Sequence, residues 1–235
     1  MSIPRRTRSR YNRRASALAL ASVVMVCGAC GSSSAGESAE PGAPKRLDVI
    51  EASTEDIIDI VPRGEWSKVR RDVEAITDAW AKYRRRAVAD GAPAKVVSDL
   101  ESGLSSLAPA ADAEQAGATA QSANDVSGAA VELYGLYDLA RPVAIGRLDV
   151  IGRQVVLDVA RDDLPSAGAQ VDRIDRIWRS GLRRDLLERG GRRVVRATDA
   201  NLVAMHQALA RGSAAVLTRN ARAFLELVDG MERRY

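Results

Sequence analysis

The chain has 235 residues, of which 46% are hydrophobic and only 4% are aromatic, so its core must consist mainly of aliphatic side chains and alanine. Its net charge of +4 depends on the first 29 residues, which hold six arginines and no acid; without them 29 basic residues face 31 acidic ones. A nucleic-acid-binding protein needs a basic face that displaces counterions. With a net charge of about −2 for the remainder, we expect no nucleic-acid partner.

The first 26 residues have the organisation of an export signal. An arginine-rich segment at 5–14 precedes an apolar segment at 15–26. This twelve-residue segment is too short to span a bilayer as a permanent helix, which needs about 20 residues. An uncleaved membrane helix at the N-terminus is the alternative interpretation.

The segment Cys27-Gly28-Ala29-Cys30 follows directly. It resembles the lipobox of bacterial lipoproteins: Gly28, Ala29 and Cys30 match, whereas Cys27 stands where leucine is usual. The resemblance implies a signal peptide of residues 1–29 and a diacylglyceryl group on Cys30, which would anchor the chain at the extracytoplasmic face of the cell membrane. A redox pair or a haem attachment site is the other interpretation of Cys-x-x-Cys. Haem attachment would require histidine where Gly31 stands.

The next segment has the composition of a linker. Residues 31–45 contain mainly Gly, Ser, Ala, Pro and Glu, with no large apolar side chain. Such a segment cannot offset the entropy of ordering, and fifteen flexible residues span about 20–23 Å on average. We expect residues 30–45 to tether a single domain of residues 46–235.

From residue 46 the apolar residues recur at helical spacing, and no segment alternates as a strand does. The first helix is predicted to begin at Ser53 or Thr54 and to end at Pro62. The second has the strongest pattern, with apolar residues three and four apart. These are Trp66, Val69, Val73, Ile76, Trp80 and Tyr83.

Five further helical segments follow. The third is expected to stop at Pro109, the fourth to run from about 112 to 139, and the sixth to end at Gly190-Gly191. The fifth begins after Pro142 and is apolar on two sides, so we expect it to be central. Thr198-Asp199 is predicted to cap the last helix. The sequence therefore predicts an all-α fold, an antiparallel bundle of about six to seven helices.

An internal repeat is indicated by two sets of matches. Residues 46–50 and 147–151 are identical, 101 residues apart, whereas Val73, Ile76, Trp80 and Val97 match Val171, Ile174, Trp178 and Val195 at an offset of 98. One small insertion would reconcile the two offsets. The repeat would give halves of about 46–140 and 141–235 with a ligand site near their interface. The alternative is the general similarity of amphipathic helices.

No catalytic constellation is found. His206 is the only histidine, which excludes a nucleophilic triad and two-histidine metal sites. Met205, His206 and Met231 could bind copper(I), but packing of these side chains is the preferred interpretation. Acidic groups such as Glu55, Asp56 and Asp59 are interpreted as solvated faces, and Asp149 with Arg153 as a helix-supporting pair. We predict no catalytic residue, no metal, no cofactor and no enzymatic activity.

The Ala/Gly-rich stretch 111–130 precedes Tyr134 and Tyr137. Its small residues either let helices approach closely or leave room for a ligand beside these tyrosines, which are our candidate ligand-binding residues. The expected function is that of a membrane-anchored protein-interaction or scaffold module with a partner in the cell envelope. The alternative is a lipoprotein that binds a small ligand or metal between the two halves.

Overall fold

The computed structural model describes residues 43–235, and this part of the chain is helical throughout apart from its turns, with no strand. The predicted all-α class is thereby confirmed. The predicted signal peptide and Cys30 lie outside the described residues, as does most of the predicted tether; Lys45 already belongs to the first helix. Within residues 43–235 no helix combines the length and the apolar character needed to cross a membrane.

The helices fall into two groups. The first comprises α1 (Lys45–Ile60), α2 (Trp66–Ala89), α3 (Ala94–Asp112) and α4 (Ala116–Tyr134). The second comprises α5 (Val143–Ala160), α6 (Leu164–Ile177), α7 (Arg183–Glu188), α8 (Arg192–Ala210) and α9 (Ala214–Glu232). α6 and α7 form one helix interrupted by a π turn, Trp178–Leu182, in which Gly181 has a φ of 142°.

Each group is an antiparallel four-helix bundle with its own hydrophobic core. In the first half, α1 and α3 each pack against both α2 and α4. In the second half, α5 packs against α6 and α9, and α8 packs against α6, α7 and α9. Short turns join consecutive helices, which makes neighbours antiparallel. The first core includes Ile76 and Trp80, and the second includes Trp178 and Phe224. The halves meet mainly through α4 and α5, so α5 is central as predicted.

The boundaries of the helices repeat at a spacing of 98 residues. α1 and α5 each follow a proline in nearly the same extended conformation, Pro44 (φ −62°, ψ 134°) and Pro142 (φ −61°, ψ 134°). The turns after α1 and α5 contain Gly64 and Asp162, both with left-handed φ values, 68° and 58°. α8 and α9 begin and end 98 residues after α3 and α4. The two halves therefore have the same helical plan.

Buried side chains follow the same spacing. Five such pairs are Val73 and Val171, Ile76 and Ile174, Trp80 and Trp178, Val97 and Val195, and Val126 and Phe224. The identical pentapeptides at 46–50 and 147–151 are out of register with this spacing, and the expected insertion of three residues is absent. A shift of three residues keeps apolar side chains on the same face of a helix, so the pentapeptides match in pattern without occupying equivalent positions.

Two predicted helix starts are wrong for a common reason. Thr54 and Asp199 both lie inside helices, α1 and α8. Thr54 is buried, and its hydroxyl donates to the carbonyl of Glu51 at 2.7 Å. Upstream residues with buried apolar side chains, such as Leu47, extend the helix beyond the point where a capping residue could have started it.

The predicted stop at Pro109 is also wrong, because α3 continues through it to Asp112. A proline removes one backbone hydrogen bond and crowds the preceding turn, and here the burial of Ala110 and Ala111 stabilises the last turn. The chain reverses at Glu114, whose φ is 54°. Consequently α4 is shorter than predicted.

Candidate functional site

The interface between the halves is built on α4 and α5, which lie antiparallel and close together. A Cβ atom added to Gly128 would lie 3.5 Å from Val150 Cγ1, and one added to Gly146 would lie 3.1 Å from Val131 Cγ2. Within the first half, a Cβ on Gly103 would come within 2.8 Å of Val126 Cγ2. The small residues of 111–130 and their partners therefore serve close helix packing, one of the two predicted alternatives.

A groove of about 640 Å³ runs along one side of the α4–α5 pair. α4 and α5 form its floor, while α3 and α6 form its two walls. Most of its lining side chains are polar, and four carry carboxamides. Its lining residues include Ser102, Ser106, Gln121, Asn124, Gly128, Val150, Gln154, Gln170 and Arg173.

Carboxamides on the floor join the two halves. Asn124 Nδ2 donates to the Val150 carbonyl at 3.3 Å and to Gln154 Oε1 at 3.0 Å. The side chains of Gln121 and Gln154 exchange hydrogen bonds of 2.9 and 3.0 Å. Asn124 is only 2% exposed, and its Oδ1 has no hydrogen-bond partner among the described residues. Buried acceptors usually have a donor within hydrogen-bond distance, so this oxygen is an exception at the groove floor.

Charged residues lie on the walls and at one end of the groove. Glu132 accepts two hydrogen bonds from Arg147, at 2.7 and 2.6 Å, which joins α4 to α5. Arg173 of α6 is exposed and makes no ion pair with any residue in the described part of the chain. Asp125 of α4 accepts from Gln121 at 2.8 Å, and burial raises the pKa of its carboxyl. The groove therefore offers donors, acceptors and both signs of charge.

On the other side of the α4–α5 pair, α1 and α9 enclose a charged cluster. Arg153 of α5 donates to Asp149 one turn earlier and to Glu55 of α1 at 2.8 Å. The side chains of Arg153 and Asp149 are only 12% and 17% exposed. Interpreting Asp149 and Arg153 as a helix-supporting pair at the surface is therefore incomplete: the pair is largely buried because α1 covers it.

A second arginine joins three elements. Arg141, in the linker between the halves, donates to Glu51 of α1 at 3.4 Å and to Glu232 of α9. The single hydroxyl proton of Tyr134 is shared between Asp48, at 2.7 Å, and Glu51, at 3.0 Å. These contacts make the charged cluster the principal polar link between α1 and the second half.

Carboxylates outnumber arginines in the charged cluster, and burial together with the neighbouring charges shifts the pKa values of these groups. Burial is the main cause that raises the pKa values of Glu51, Glu55 and Asp149, with the nearby arginines opposing it. For Glu232, burial raises the pKa to about 7, although Arg141 lowers it and Asp149 raises it further. Burial lowers the pKa of Arg153, but Asp149 and Glu55 outweigh that effect and raise it.

Glu232 is expected to give the protein an unusual dependence of stability on pH. Because its pKa is about 7 in the folded chain against 4.5 ordinarily, the folded state binds the proton more tightly. Its contribution to the free energy of unfolding therefore increases as the pH falls from about 7.5 to 4.5, by about 1–3 kcal/mol after allowance for solvent screening. The measurement is denaturant unfolding across this pH range.

The matched variants for this prediction are Glu232→Gln and Glu188→Gln. Glu232→Gln should reduce the rise in stability towards low pH, because one of the titrating groups is gone while Glu51, Glu55 and Asp149 remain. Glu188 lies on the surface, with a 69% exposed side chain, so its replacement should leave the pH profile as it is. Identical profiles for the parent and Glu232→Gln would contradict the prediction.

The two candidate ligand-binding tyrosines do not share a site. Tyr134 is buried in the charged cluster, whereas Tyr137 lies beyond α4 at the end of α2. The Tyr137 hydroxyl lies 2.7 Å from the Tyr83 hydroxyl and donates to Asp90, also at 2.7 Å. Both hydroxyls are therefore bound by protein groups. The carboxamides of the groove were not singled out from the sequence, because isolated Gln and Asn residues on amphipathic helices carry no distinguishing signal.

His206 lies on the exposed side of α8, with its Nδ1 4.0 Å from Asp172 Oδ1. Met205 and Met231 are fully buried in the second core, away from the exposed His206 side chain, so the three do not form a copper site. Between residues 43 and 235, no group of three or more His, Cys, Asp or Glu side chains is arranged to hold a metal ion.

Comparison with known proteins gives no relative. No family model matches the sequence, and no significant match is found among curated proteins or solved structures. The interface between the halves therefore provides the basis for inferring function.

Proposed function

We propose that the chain is a lipoprotein, anchored through Cys30 at the extracytoplasmic face of the cell membrane, that binds an extended segment of an envelope protein in the groove between its two halves. The resemblance of residues 27–30 to a lipobox supports the location. The observation that carries the binding function is the groove of about 640 Å³ with carboxamides on its floor.

Carboxamides suit a polypeptide ligand. A peptide bond presents one donor and one acceptor, and a carboxamide can satisfy both. Gln121 and Gln154 already bind each other and their neighbours, so Gln170 on the α6 wall is the carboxamide that remains for a partner. The Oδ1 of Asn124 lacks a partner among the described residues but is covered, so it would accept a main-chain N–H only if neighbouring side chains move aside. Gln170 and Arg173 on the α6 wall would meet the other edge of the segment. The groove thus favours main-chain recognition supplemented by a carboxylate on the partner.

The length of the groove floor agrees with that of a short extended peptide segment. Between Gln121 and Glu132 the α4 floor is about 16 Å long at 1.5 Å per residue. An extended chain rises about 3.3 Å per residue, so about five residues would fit along it. The groove is also open along its length between the α3 and α6 walls, which lets a segment enter from the side.

The proposal is tested by site-specific photo-cross-linking of the lipidated chain in its own membrane. Cross-linkable residues at Ser102 on the α3 wall and at Gln170 on the α6 wall are expected to capture the same segment of one protein, as mapped by peptide mass spectrometry. Positions Val88 and Val203, 52% and 56% exposed, serve as controls and should not capture it. Capture of unrelated proteins from the two walls, or equal capture from the controls, would overturn the proposal.

The variant Gln154→Ala tests the contribution of the groove-floor carboxamides to partner binding. It removes a carboxamide that joins Gln121, Asn124 and Asp158 on the groove floor. We expect the yield of the specific cross-link from Gln170 to fall about tenfold, the effect of roughly 1.4 kcal/mol in binding. Thermal unfolding of the variant checks that the bundle is intact. An unchanged yield in a folded variant would show that binding does not depend on the carboxamide network of the groove floor.

A small polar ligand is the second candidate. The groove volume of about 640 Å³ falls within the range of about 300–1,000 Å³ that is usual for small-molecule sites. Such a ligand would need several donors and acceptors to match the carboxamides. Cross-linkers on the two walls would then capture no protein segment, and the purified chain would carry a small extra mass.

A further inference from the structure

The topology brings eight helix ends to one end of the described region. α1, α3, α5 and α8 begin there, and α2, α4, α7 and α9 end there. Contacts across this end include the hydroxyl pair of Tyr83 and Tyr137 and the hydrogen bond from Tyr235 to Asp185. Ala43, the first described residue, also lies at this end. We call it the entry end, because the chain enters the bundle here.

The entry end carries exposed cations that are not neutralised. They come from the start of α1, the end of α2, the start of α8 and the residues after α9. None of them makes an ion pair with any residue between 43 and 235: Arg46, Arg85, Arg192, Arg193, Arg233 and Arg234. Since four different chain segments supply them, they form a surface rather than a single basic stretch.

The opposite end differs in its balance of charge. Three of its cations are matched by carboxylates, Arg63 by Glu65 at 2.5 Å, Lys68 by Asp56 at 3.5 Å, and Arg70 by Glu114 at 3.4 Å. Arg71, Arg211 and Arg219 at this end make no ion pair with a residue of the described region. Additional acids, such as Asp162 and Asp163, lie in the turn between α5 and α6. These acids offset the unpaired cations of the opposite end, so the net positive charge lies at the entry end and the described region has a polarity along its helix axes.

We propose that the entry end contacts the anionic headgroups of the membrane surface. This inference rests on the proposed anchoring at Cys30, because the described region begins at this end, on the side where the anchored part of the chain joins it. Basic residues near an anionic surface are attracted within about a Debye length, roughly 8 Å at physiological salt. The helices would then stand upright, with the groove opening sideways towards neighbouring proteins and the acidic end directed away from the lipid.

The test uses the full chain with Cys30→Ser, which removes the acyl anchor, and vesicles of phosphatidylcholine with or without phosphatidylglycerol. The entry-end variant combines Arg192→Gln, Arg193→Gln, Arg233→Gln and Arg234→Gln. The matched variant removes the same charge from the opposite end through Arg63→Gln, Lys68→Gln, Arg70→Gln and Arg211→Gln. The arginines of residues 1–29 are the same in all chains, so differences report the described region.

We expect the entry-end variant to bind anionic vesicles at least about tenfold more weakly than the parent, and the matched variant to bind within about twofold of it. High salt should abolish the difference. Equal binding by the two variants, or no parental preference for anionic vesicles, would overturn the proposal. Failure of the anchoring would show separately, as an intact mass of the native chain without acyl groups, and would leave the vesicle comparison standing.

Discussion

Replacing Arg153 with alanine is expected to lower the free energy of unfolding by about 3–5 kcal/mol at pH 7.5, because it would leave buried carboxylates without their cation. Arg153 is 12% exposed and bridges Asp149 of its own helix and Glu55 of α1. It thereby holds the first half against the second. Denaturant unfolding monitored by circular dichroism gives the loss directly.

The control and the pH dependence make this prediction specific. Arg179 forms a similar pair, four residues from Asp175, but its side chain is 74% exposed; Arg179→Ala should cost less than about 1 kcal/mol. The penalty of Arg153→Ala should shrink as the pH falls, because Asp149 can then take up a proton, and adding Asp149→Asn should recover part of the loss. Equal losses for Arg153→Ala and Arg179→Ala would contradict the burial of the charged cluster.

Phe224→Ala is expected to lower the free energy of unfolding by about 3–5 kcal/mol, the usual effect of emptying an aromatic site in a packed core. Phe224 is the only phenylalanine of the chain and is fully buried in the second core. Its counterpart 98 residues earlier is Val126, which packs closely on Gly103. The second half therefore has a larger side chain at this position and depends on it more strongly.

Val203→Ala is the matched control for Phe224→Ala. Val203 lies on α8 with 56% of its surface exposed, so its truncation should change stability by less than about 0.5 kcal/mol. Denaturant midpoints and slopes for the two variants are compared with those of the parent. A loss below about 1 kcal/mol for Phe224→Ala would mean that the second core is not packed around this ring.

Helical periodicity predicts the fold class and several elements well. α2 follows the predicted seam from Trp66 to Tyr83, because regular spacing of three and four residues faces a single core. Caps and stops are less predictable, as Thr54 and Pro109 show: burial of neighbouring side chains overrides the local preference. The spacing of 98 residues is visible in the sequence, but its register becomes certain only when Pro44 and Pro142 are seen in the same conformation.

The candidate site could be predicted only in outline. A site between the halves follows from the repeat, but its residues depend on which helix faces meet. Gln121 and Gln154 are 33 residues apart and read as ordinary surface positions until α4 and α5 pack against each other. Asp149 and Arg153 likewise look like a surface pair, because the sequence does not show that α1 crosses over them.

The most direct test of the groove as the binding site is the native mass of the full chain, purified from its own cells in mild detergent. We expect the chain together with one additional polypeptide in a fixed ratio, and the bare chain when Ser106→Trp places a large side chain in the groove from its exposed α3 wall. A complex that persists in Ser106→Trp, or a parent chain that carries no other polypeptide, would contradict peptide binding in the groove.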